Sequence, residues 1–333
     1  MATLPAGSAA TRGFRHVETG RTIVFGRGAV AAAADLLGEG YTLLTTRRAL
    51  EVTPEVASRA GAVIEVPGGR VEDVAGELRP DVHGDRLVAL GGGRVVDVAK
   101  ALAAADPPRE VVAIPTSPSG AEMTGVHRHA PGVPDGTPRV HATVVINDPV
   151  LSASMPAPAL AASSGNALGH AVTGLLSDRA TPIGAAVARE AILRIAAAWA
   201  GEDPDRDAVA LGALLAGWAV EGTGLGPHHA LAQSAVRTAG LGHAQANVAI
   251  LPATVRAARR RRPAELDGLD RALGAPLETL AERLRDRAGA DLGGLATDDA
   301  LREAAVDAAA GRPELDRIPP APDRAEIRAI YRG

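Results

Sequence analysis

The sequence contains no cysteine, one lysine and only six aromatic residues among its 333 positions. Without a thiolate there is no cysteine nucleophile, no Cys-ligated zinc, no iron–sulfur cluster and no disulfide. A Schiff base could form only at Lys100. The scarcity of rings argues against a stacking platform for single-stranded nucleic acid, and the net charge of −4 gives no basic footprint for DNA or RNA.

Long hydrophobic runs are also missing. No apolar run approaches the roughly 18–20 residues needed to span a bilayer. The first residues, Met1 to Thr11, are small and polar, without the hydrophobic region of a secretory signal. We therefore expect a cytoplasmic protein with no membrane and no nucleic-acid partner. The composition, 46% hydrophobic and 22% charged, is typical of a globular protein, and the length favours two domains.

The first half of the chain alternates short β-branched runs with alanine-rich helical stretches. This alternation predicts parallel strands joined by helices, which is an α/β domain with a doubly wound, mainly parallel sheet. The predicted strands are Thr22–Phe25, Tyr41–Thr45, Val63–Val66, Arg86–Leu90 and Val111–Ile114, and the predicted helices are Ala29–Leu37, Val71–Leu78 and Val95–Ala105.

The pattern changes after the fifth strand. Met123 to Asp148 is rich in proline and glycine before the alternating run Val140–Ile146, which favours a hairpin or a long loop. No strand is predicted from Pro149 onward. The sequence therefore predicts an α/β domain over 1–150 and an all-α domain over 151–333, with helices at Pro158–Leu176, Pro182–Ala200, Arg206–Val220, His228–Thr238 and Gln245–Arg261.

Two loops at strand ends could contact a ligand. Gly91, Gly92 and Gly93 lie between a strand and a helix, where glycine allows close backbone approach and the helix N-terminus offers N–H groups to a phosphate. By itself, this turn is equally typical of an ordinary strand-to-helix connection. The segment Pro115 to Thr124 follows the next strand, at the edge where ligands of open α/β sheets bind.

The histidines of the second half form a third signal. Asn166 and His170 are four residues apart on one predicted helix, His229 follows His228 at the start of another, and His243 follows a glycine-rich turn. Histidines on neighbouring helices can converge on a divalent cation, although a single one is more often a core or surface residue.

In order and spacing, these motifs resemble the iron-containing alcohol dehydrogenase superfamily, whose fold is shared with dehydroquinate synthase. The resemblance spans about residues 14 to 256 and is best to the maleylacetate reductase branch. That branch has a proline-threonine-threonine loop ending Gly-Ser-Glu-Met-Thr, an asparagine at the position of Asn166, and a paired histidine opening the later helix.

The resemblance implies an NAD(P)-binding N-terminal domain, a helical C-terminal domain and an active site in the cleft between them. It implies a homodimer and a small-molecule substrate that receives a hydride from NADH or NADPH. The implied nucleotide-binding residues are Gly91, Gly92, Gly93, Asp97, Lys100, Thr116, Ser117, Glu122 and Thr46. The implied catalytic residues are His170, His229, Gln233 and His243, and the implied metal positions are Asn166, His170, His229 and His243.

Several positions depart from the family pattern. Thr173 stands at a glutamate, Gln233 at a second histidine, and Ala230 at the lysine of the reductase branch. Asn166 gives a neutral ligand in place of an anion, so we expect Fe²⁺ or Zn²⁺ to bind weakly, or not at all. These losses affect a proton donor and a cation for a substrate carboxylate.

Three hypotheses follow. The chain is a reductase of a small oxo acid or enone, a non-redox enzyme (lyase, dehydratase, cyclase or isomerase) on the same scaffold, or a binding protein with a decayed site. Retention of the histidines argues against decay. No acid follows the second strand, so Arg47 or Arg48 either meets the 2′-phosphate of NADPH or is solvated. Similarly, His127, Arg128 and His129 either meet an acidic substrate or lie in a solvated loop.

Overall fold

One sheet organises the first part of the computed structural model, which describes residues 14–18 and 20–333. Its strand order is β1-β2-β7-β6-β5-β3-β4, and every described pairing except β1 with β2 is parallel. The strands are β1 Phe14–Glu18, β2 Arg21–Phe25, β3 Tyr41–Thr45, β4 Ala60–Glu65, β5 Arg86–Gly91, β6 Glu110–Pro115 and β7 Val144–Asn147.

Short helices connect the strands of this first unit, which ends at Ser154. They are α1 Ala29–Ala32, α2 Arg47–Val52, α3 Val71–Leu78 and α4 Gly93–Ala105. Its core lies beside the sheet, where Leu43, Val88 and Ile114 are fully buried.

The second unit, Met155–Gly333, is helical throughout its length. Its helices are α5 Ala157–Leu176, α6 Pro182–Ala198, α7 Arg206–Thr223, α8 Pro227–Ala239, α9 His243–Arg261, α10 Pro263–Leu273, α11 Leu277–Ala288, α12 Gly294–Thr297, α13 Asp299–Ala309 and α14 Arg324–Ile330. Alanine and glycine allow these helices to approach closely around larger residues. Trp199 is fully buried, and its indole N–H donates to Ser164 Oγ over 3.0 Å.

The predicted fold class is confirmed, with local corrections. The helix predicted over Ala29–Leu37 divides into α1 and a 3-10 turn, Ala34–Leu36. Of the two alternatives predicted after Met123, a hairpin or a long loop, the structure has the long loop, and the strand that follows it, β7, enters the sheet between β2 and β6, parallel to both. All of β7 is buried, so the sequence alternation before it did not mark a half-exposed hairpin. Strand β1 and helix α2 were not predicted.

The described residues contain no single helix long and apolar enough to cross a membrane. Helices α7 and α8 are long and apolar enough only when taken together, and this pair is bent by 100° at the break between them.

Close packing between α5 and α9 generates a stability prediction. A Cβ atom on Gly165 would lie 2.5 Å from Cγ2 of Val248, a fully buried residue of α9. We expect Gly165→Ala to lower the free energy of unfolding by about 1–3 kcal/mol, because the helices must separate. Chemical denaturation measures this change.

Gly222→Ala is the matched control, because a Cβ there meets nothing within 4 Å and the residue is exposed near the end of α7. This control should be neutral or stabilising by about 0.5 kcal/mol. Equal effects of the two substitutions would contradict the packing argument.

Candidate active site

Three loops of the first unit meet at one edge of the sheet. Parallel pairing aligns Thr45 with Leu90 and Gly91 with Pro115, so the loops after β3, β5 and β6 lie side by side. The backbone N–H of Thr116 donates to the carbonyl of Gly91 over 2.9 Å. This is the carboxyl edge of the strands, where ligands of open α/β sheets bind.

The glycine turn opens helix α4 without a side-chain cap. Gly92 is the N-cap residue in an extended conformation, and it makes no side-chain cap hydrogen bond. A Cβ atom on Gly92 would lie 3.1 Å from Ser117 Oγ, and one on Gly93 would lie 2.8 Å from Ser119 Oγ. The glycines are therefore required for the close approach of the β6 loop, and the helix N-terminus remains suited to an anion.

Lys100 does not lie where a phosphate could reach it, which corrects its predicted role as a direct nucleotide ligand. Its side chain is fully buried, and Nζ donates to the carbonyls of Ala121, Thr124 and Val126 over 2.9–3.1 Å. Asp97 Oδ1 lies 2.7 Å from the same nitrogen. An ammonium has three N–H donors, so these contacts saturate it. Lys100 fastens the loop after β6 to α4.

Glu122 belongs to the same loop and is also buried. Its Oε1 accepts from Asn147 Nδ2 over 3.2 Å, whereas Oε2 is buried without a hydrogen-bond partner. Burial raises the pKa of the Glu122 carboxyl to about 7, against the opposing effect of the Lys100 charge. The carboxyl therefore changes charge near neutral pH.

The side chains of the loop after β3 differ in how available they are to a ligand. Thr46 caps α2 by accepting from the N–H of Ala49 over 3.3 Å. The guanidinium of Arg48 donates to the carbonyl and hydroxyl of Ser154. Arg47 has a side chain 79% exposed and 3.9 Å from the carboxylate of Glu65, so it is the more available cation.

The histidine cluster lies in the second unit, on α5 and α8. The rings of His170 and His229 are stacked, with centroids 4.0 Å apart and planes 13° from parallel. Asn166 joins them, because its Nδ2 lies 3.2 Å from His170 Nε2 and its Oδ1 lies 3.3 Å from His229 Nε2. An amide nitrogen only donates, which places the proton of His170 on Nδ1 and that of His229 on Nε2.

His228 makes a second, perpendicular contact with this cluster. Its ring lies edge-on to His229 at 4.9 Å, and its Nδ1 is 2.8 Å from the hydroxyl of Thr254. The Thr254 hydroxyl donates to the carbonyl of Leu251, so it accepts from His228. Gly169 makes room for the ring, because a Cβ there would lie 2.3 Å from His228 Cδ2.

All three imidazoles of the cluster are neutral. Burial lowers the pKa of His170 and of His228 to about 3 and holds that of His229 well below its usual range. Neighbouring histidines, including His243, lower these pKa values further. His243 itself is exposed at the start of α9, with Nε2 3.3 Å from Asn247 Nδ2.

Three positions on these helices depart from the pattern described above: Thr173, Ala230 and Gln233. Packing explains the first two, and an arginine contacts the third. Thr173 donates back to the carbonyl of Gly169 over 3.0 Å, and Ala230 is buried in the core. Gln233 Oε1 accepts from Arg312 Nη2 over 2.8 Å. Arg312 follows α13 and was not predicted as a site residue from the sequence.

Comparisons with known proteins identify the family. Residues 160–309 match the family described as Fe-containing alcohol dehydrogenase family, C-terminal. A maleylacetate reductase from Sphingobium indicum is 33% identical over 275 residues, covering 76% of this chain and 77% of that protein. The chain belongs to the iron-containing alcohol dehydrogenase family. The predicted family is confirmed, and the protein is an oxidoreductase.

Two crystal structures share the fold of this iron-containing alcohol dehydrogenase family member. Maleylacetate reductase from Agrobacterium tumefaciens superposes with a TM-score of 0.79 at 24% identity, covering 96% of each chain. Sulfoacetaldehyde reductase from Bifidobacterium kashiwanohense, in complex with NAD+, gives 0.75 at 21% identity over 96% of this chain and 98% of that one. These identities establish the fold.

The side chains of this iron-containing alcohol dehydrogenase family member do not fit a metal ion as they stand. A metal lies in the plane of each ligating imidazole, about 2.0–2.1 Å from its nitrogen. Nearly parallel stacked rings such as those of His170 and His229 cannot both meet that condition, and Asn166 occupies the Nε2 lone pair of His170. Within residues 14–18 and 20–333, no group of three or more His, Asp or Glu side chains is arranged to hold one.

His127 also has a different role from the substrate contact considered above. It is buried, its Nε2 accepts from the N–H of Val140 over 3.1 Å, and its Nδ1 lies 3.2 Å from the carbonyl of Arg128. Burial lowers its pKa to about 4. In this family member His127 is a neutral residue that holds the long loop before β7 in place.

The hydrogen bonds by which Lys100 holds the loop after β6 against α4 can be tested by Lys100→Met. The substitution leaves three loop carbonyls and Asp97 without their donor, so we expect a loss of at least about 2 kcal/mol in the free energy of unfolding. Faster amide hydrogen exchange over residues 121–126 should accompany it. Arg94→Met, at an exposed position of α4, is the control and should stay within about 0.5 kcal/mol. Unchanged amide hydrogen exchange in Lys100→Met would refute this role of Lys100.

The buried carboxyl of Glu122 predicts a pH dependence of stability. The folded state keeps a proton up to about pH 7, whereas the unfolded state releases it near the ordinary pKa of 4.5. The stability of the wild type relative to Glu122→Gln should therefore fall as pH rises from 4.5 through 7, by up to about 3 kcal/mol. Denaturant unfolding at several pH values measures the difference, with exposed Glu77→Gln as the control. A constant difference would contradict the prediction.

Proposed function

We propose that the protein is an NADH- or NADPH-dependent reductase of a small oxo acid or enone. The observation that carries the proposal is the uncapped N-terminus of α4 at Gly92, beside the loops after β3 and β6. At this turn a helix N-terminus and three glycines lie at the carboxyl edge of a parallel sheet. A nucleotide pyrophosphate is the ligand that this combination suits.

The residues of the first unit fit a nicotinamide nucleotide by their chemistry. Gly91, Gly92 and Gly93 would face the pyrophosphate, while Thr116 and Ser117 supply half-buried hydroxyls in the adjoining loop. Asp97 and Lys100 would act indirectly by fixing that loop. The structural neighbour crystallised with NAD+ supports this assignment. Bound NADH or NADPH would supply a hydride to a carbonyl or enone carbon.

The histidine cluster of the second unit would hold the substrate. His170 carries an N–H on Nδ1 that is buried without a partner, and His229 carries an unprotonated Nδ1 that is also unpartnered. These two atoms offer a donor and an acceptor in a neutral environment. Because the rings do not fit a metal, no step is assigned to one. The maleylacetate reductases among the relatives support an unsaturated oxo acid as the substrate class.

A non-redox enzyme on the same scaffold is the second candidate. The observation that favours it is the loss of titratable groups at Thr173 and Ala230, both committed to helix packing. The stoichiometry of turnover separates the two candidates. A reductase consumes one NADH or NADPH for each product formed, whereas a lyase, dehydratase, cyclase or isomerase consumes none.

Nucleotide binding is the decisive test of the reductase. We expect saturable binding of NADH or NADPH in the micromolar range, measured by nicotinamide fluorescence. If NADPH is preferred, Arg47→Ser should weaken NADPH binding about tenfold, equivalent to about 1.4 kcal/mol, and leave NADH binding unchanged. Arg48→Ser is the control, because that guanidinium is held by Ser154. The absence of saturable binding of either nucleotide would refute the proposal.

The homodimer that the family resemblance implies and the cytoplasmic location expected from the sequence stay predictions. Sedimentation of the purified protein at micromolar concentration checks the first of them.

A further inference from the structure

Two altered positions of α8 contact the same guanidinium. Arg312 Nη2 donates to Gln233 Oε1 over 2.8 Å, and Nη1 lies 3.4 Å from the carbonyl of Ala230. These are the positions where the sequence pattern replaces a histidine and a lysine by uncharged residues. A guanidinium from the turn after α13 thus contacts both positions.

The contact with Arg312 fixes which way the Gln233 amide faces. A guanidinium has only donors, so it must meet the oxygen of the amide and not its nitrogen. Glu314 holds the guanidinium from the other side, with Oε1 2.9 Å from Nη2 and Oε2 3.3 Å from Nε. The Arg312 side chain is 15% exposed, so this ion pair is largely shielded from water.

The amide nitrogen of Gln233 is left as an available donor. Within residues 14–18 and 20–333, the structure gives this Nε2 no hydrogen-bond partner, and Gln233 is partly exposed. Gln233 follows His229 by four residues on α8, so the two side chains lie one turn apart on the same helix face. His229 in turn stacks on His170. The available N–H groups therefore lie next to the neutral cluster.

We propose that Gln233 donates a hydrogen bond from Nε2 to the carbonyl oxygen of the substrate and that Arg312 is the residue that positions it. This inference rests on the proposed reductase function. When hydride adds to the carbonyl carbon of an oxo acid, or to the β-carbon of an enone, the π electrons move to the carbonyl oxygen, and a preoriented N–H stabilises the charge that develops there. Glutamine cannot release a proton at neutral pH, so the resulting alkoxide or enolate takes its proton from water. The balance is one hydride, one proton and one oxidised nucleotide.

Kinetics of three variants test the assignment with maleylacetate and pyruvate as probes. Gln233→Glu keeps the shape and can still pair with Arg312, but it presents an oxygen where the donor was. We expect its kcat to fall about 100-fold, with the KM for the nucleotide unchanged. Arg312→Met should lower kcat through loss of orientation, and Arg312→Lys should recover part of it. A kcat for Gln233→Glu within twofold of the wild type would overturn the inference.

Side-chain NMR gives a readout that does not need turnover. The chain contains only two glutamines, Gln233 and Gln245, so labelling with 15N at the glutamine side chain gives two NH2 pairs. Gln245 is exposed on α9, and Gln245→Glu assigns the spectrum and serves as the control variant, with kcat expected to be unchanged. Adding maleylacetate or pyruvate to the protein with oxidised nucleotide should shift the Gln233 pair and leave the Gln245 pair in place.

The outcomes separate this inference from the proposed function. Failure of both nucleotides to bind refutes the reductase function. If a nucleotide binds but the Gln233 pair does not shift with either probe, the assignment of Gln233 is wrong and the reductase function stands. A shift in Gln233 that persists unchanged in Arg312→Met contradicts the positioning role of Arg312 alone.

Discussion

The buried ammonium of Lys100 is the interaction on which the carboxyl edge of the sheet depends. An unpaired charge in a protein interior is strongly unfavourable. The buried ammonium of Lys100 is therefore surrounded by three loop carbonyls and Asp97. These contacts hold the loop after β6 against α4 and so bring Ser117 and Ser119 against the glycine turn. The shape of the edge is thus set from inside the unit.

Burial also determines which contacts the polar side chains of the helical unit make, but these side chains are neutral. Alanine and glycine let α5, α8 and α9 approach so closely that His170, His228 and His229 lose nearly all contact with water. They are kept uncharged, and their hydrogen bonds come from Asn166 and Thr254. A cluster of this kind presents hydrogen-bond donors and acceptors at fixed positions, while its neutral rings contribute no net charge.

Sequence reasoning was most successful where a pattern is local. The strand Tyr41–Thr45 and the helix Val71–Leu78 were predicted with the bounds that the structure has, because period and turn residues determine them. It failed where tertiary contacts decide. Lys100 sits in a helix whether it points to solvent or to a loop, and only the fold shows that it is buried. Arg312 is one of many arginines, so its pairing with a residue 79 positions away leaves no signal in the sequence.

The position of Arg312 in the chain distinguishes the region that matches the family model from a later segment that contacts α8. The part of the chain that matches the family model ends at residue 309, and the guanidinium that contacts α8 comes from the turn just beyond it. The 3-10 segment that follows, Pro313–Arg317, packs against α8, and a connecting segment of this kind tolerates substitution better than a buried helix does. A change in this short segment would therefore alter the surroundings of Gln233 without changing the helices that match the family model.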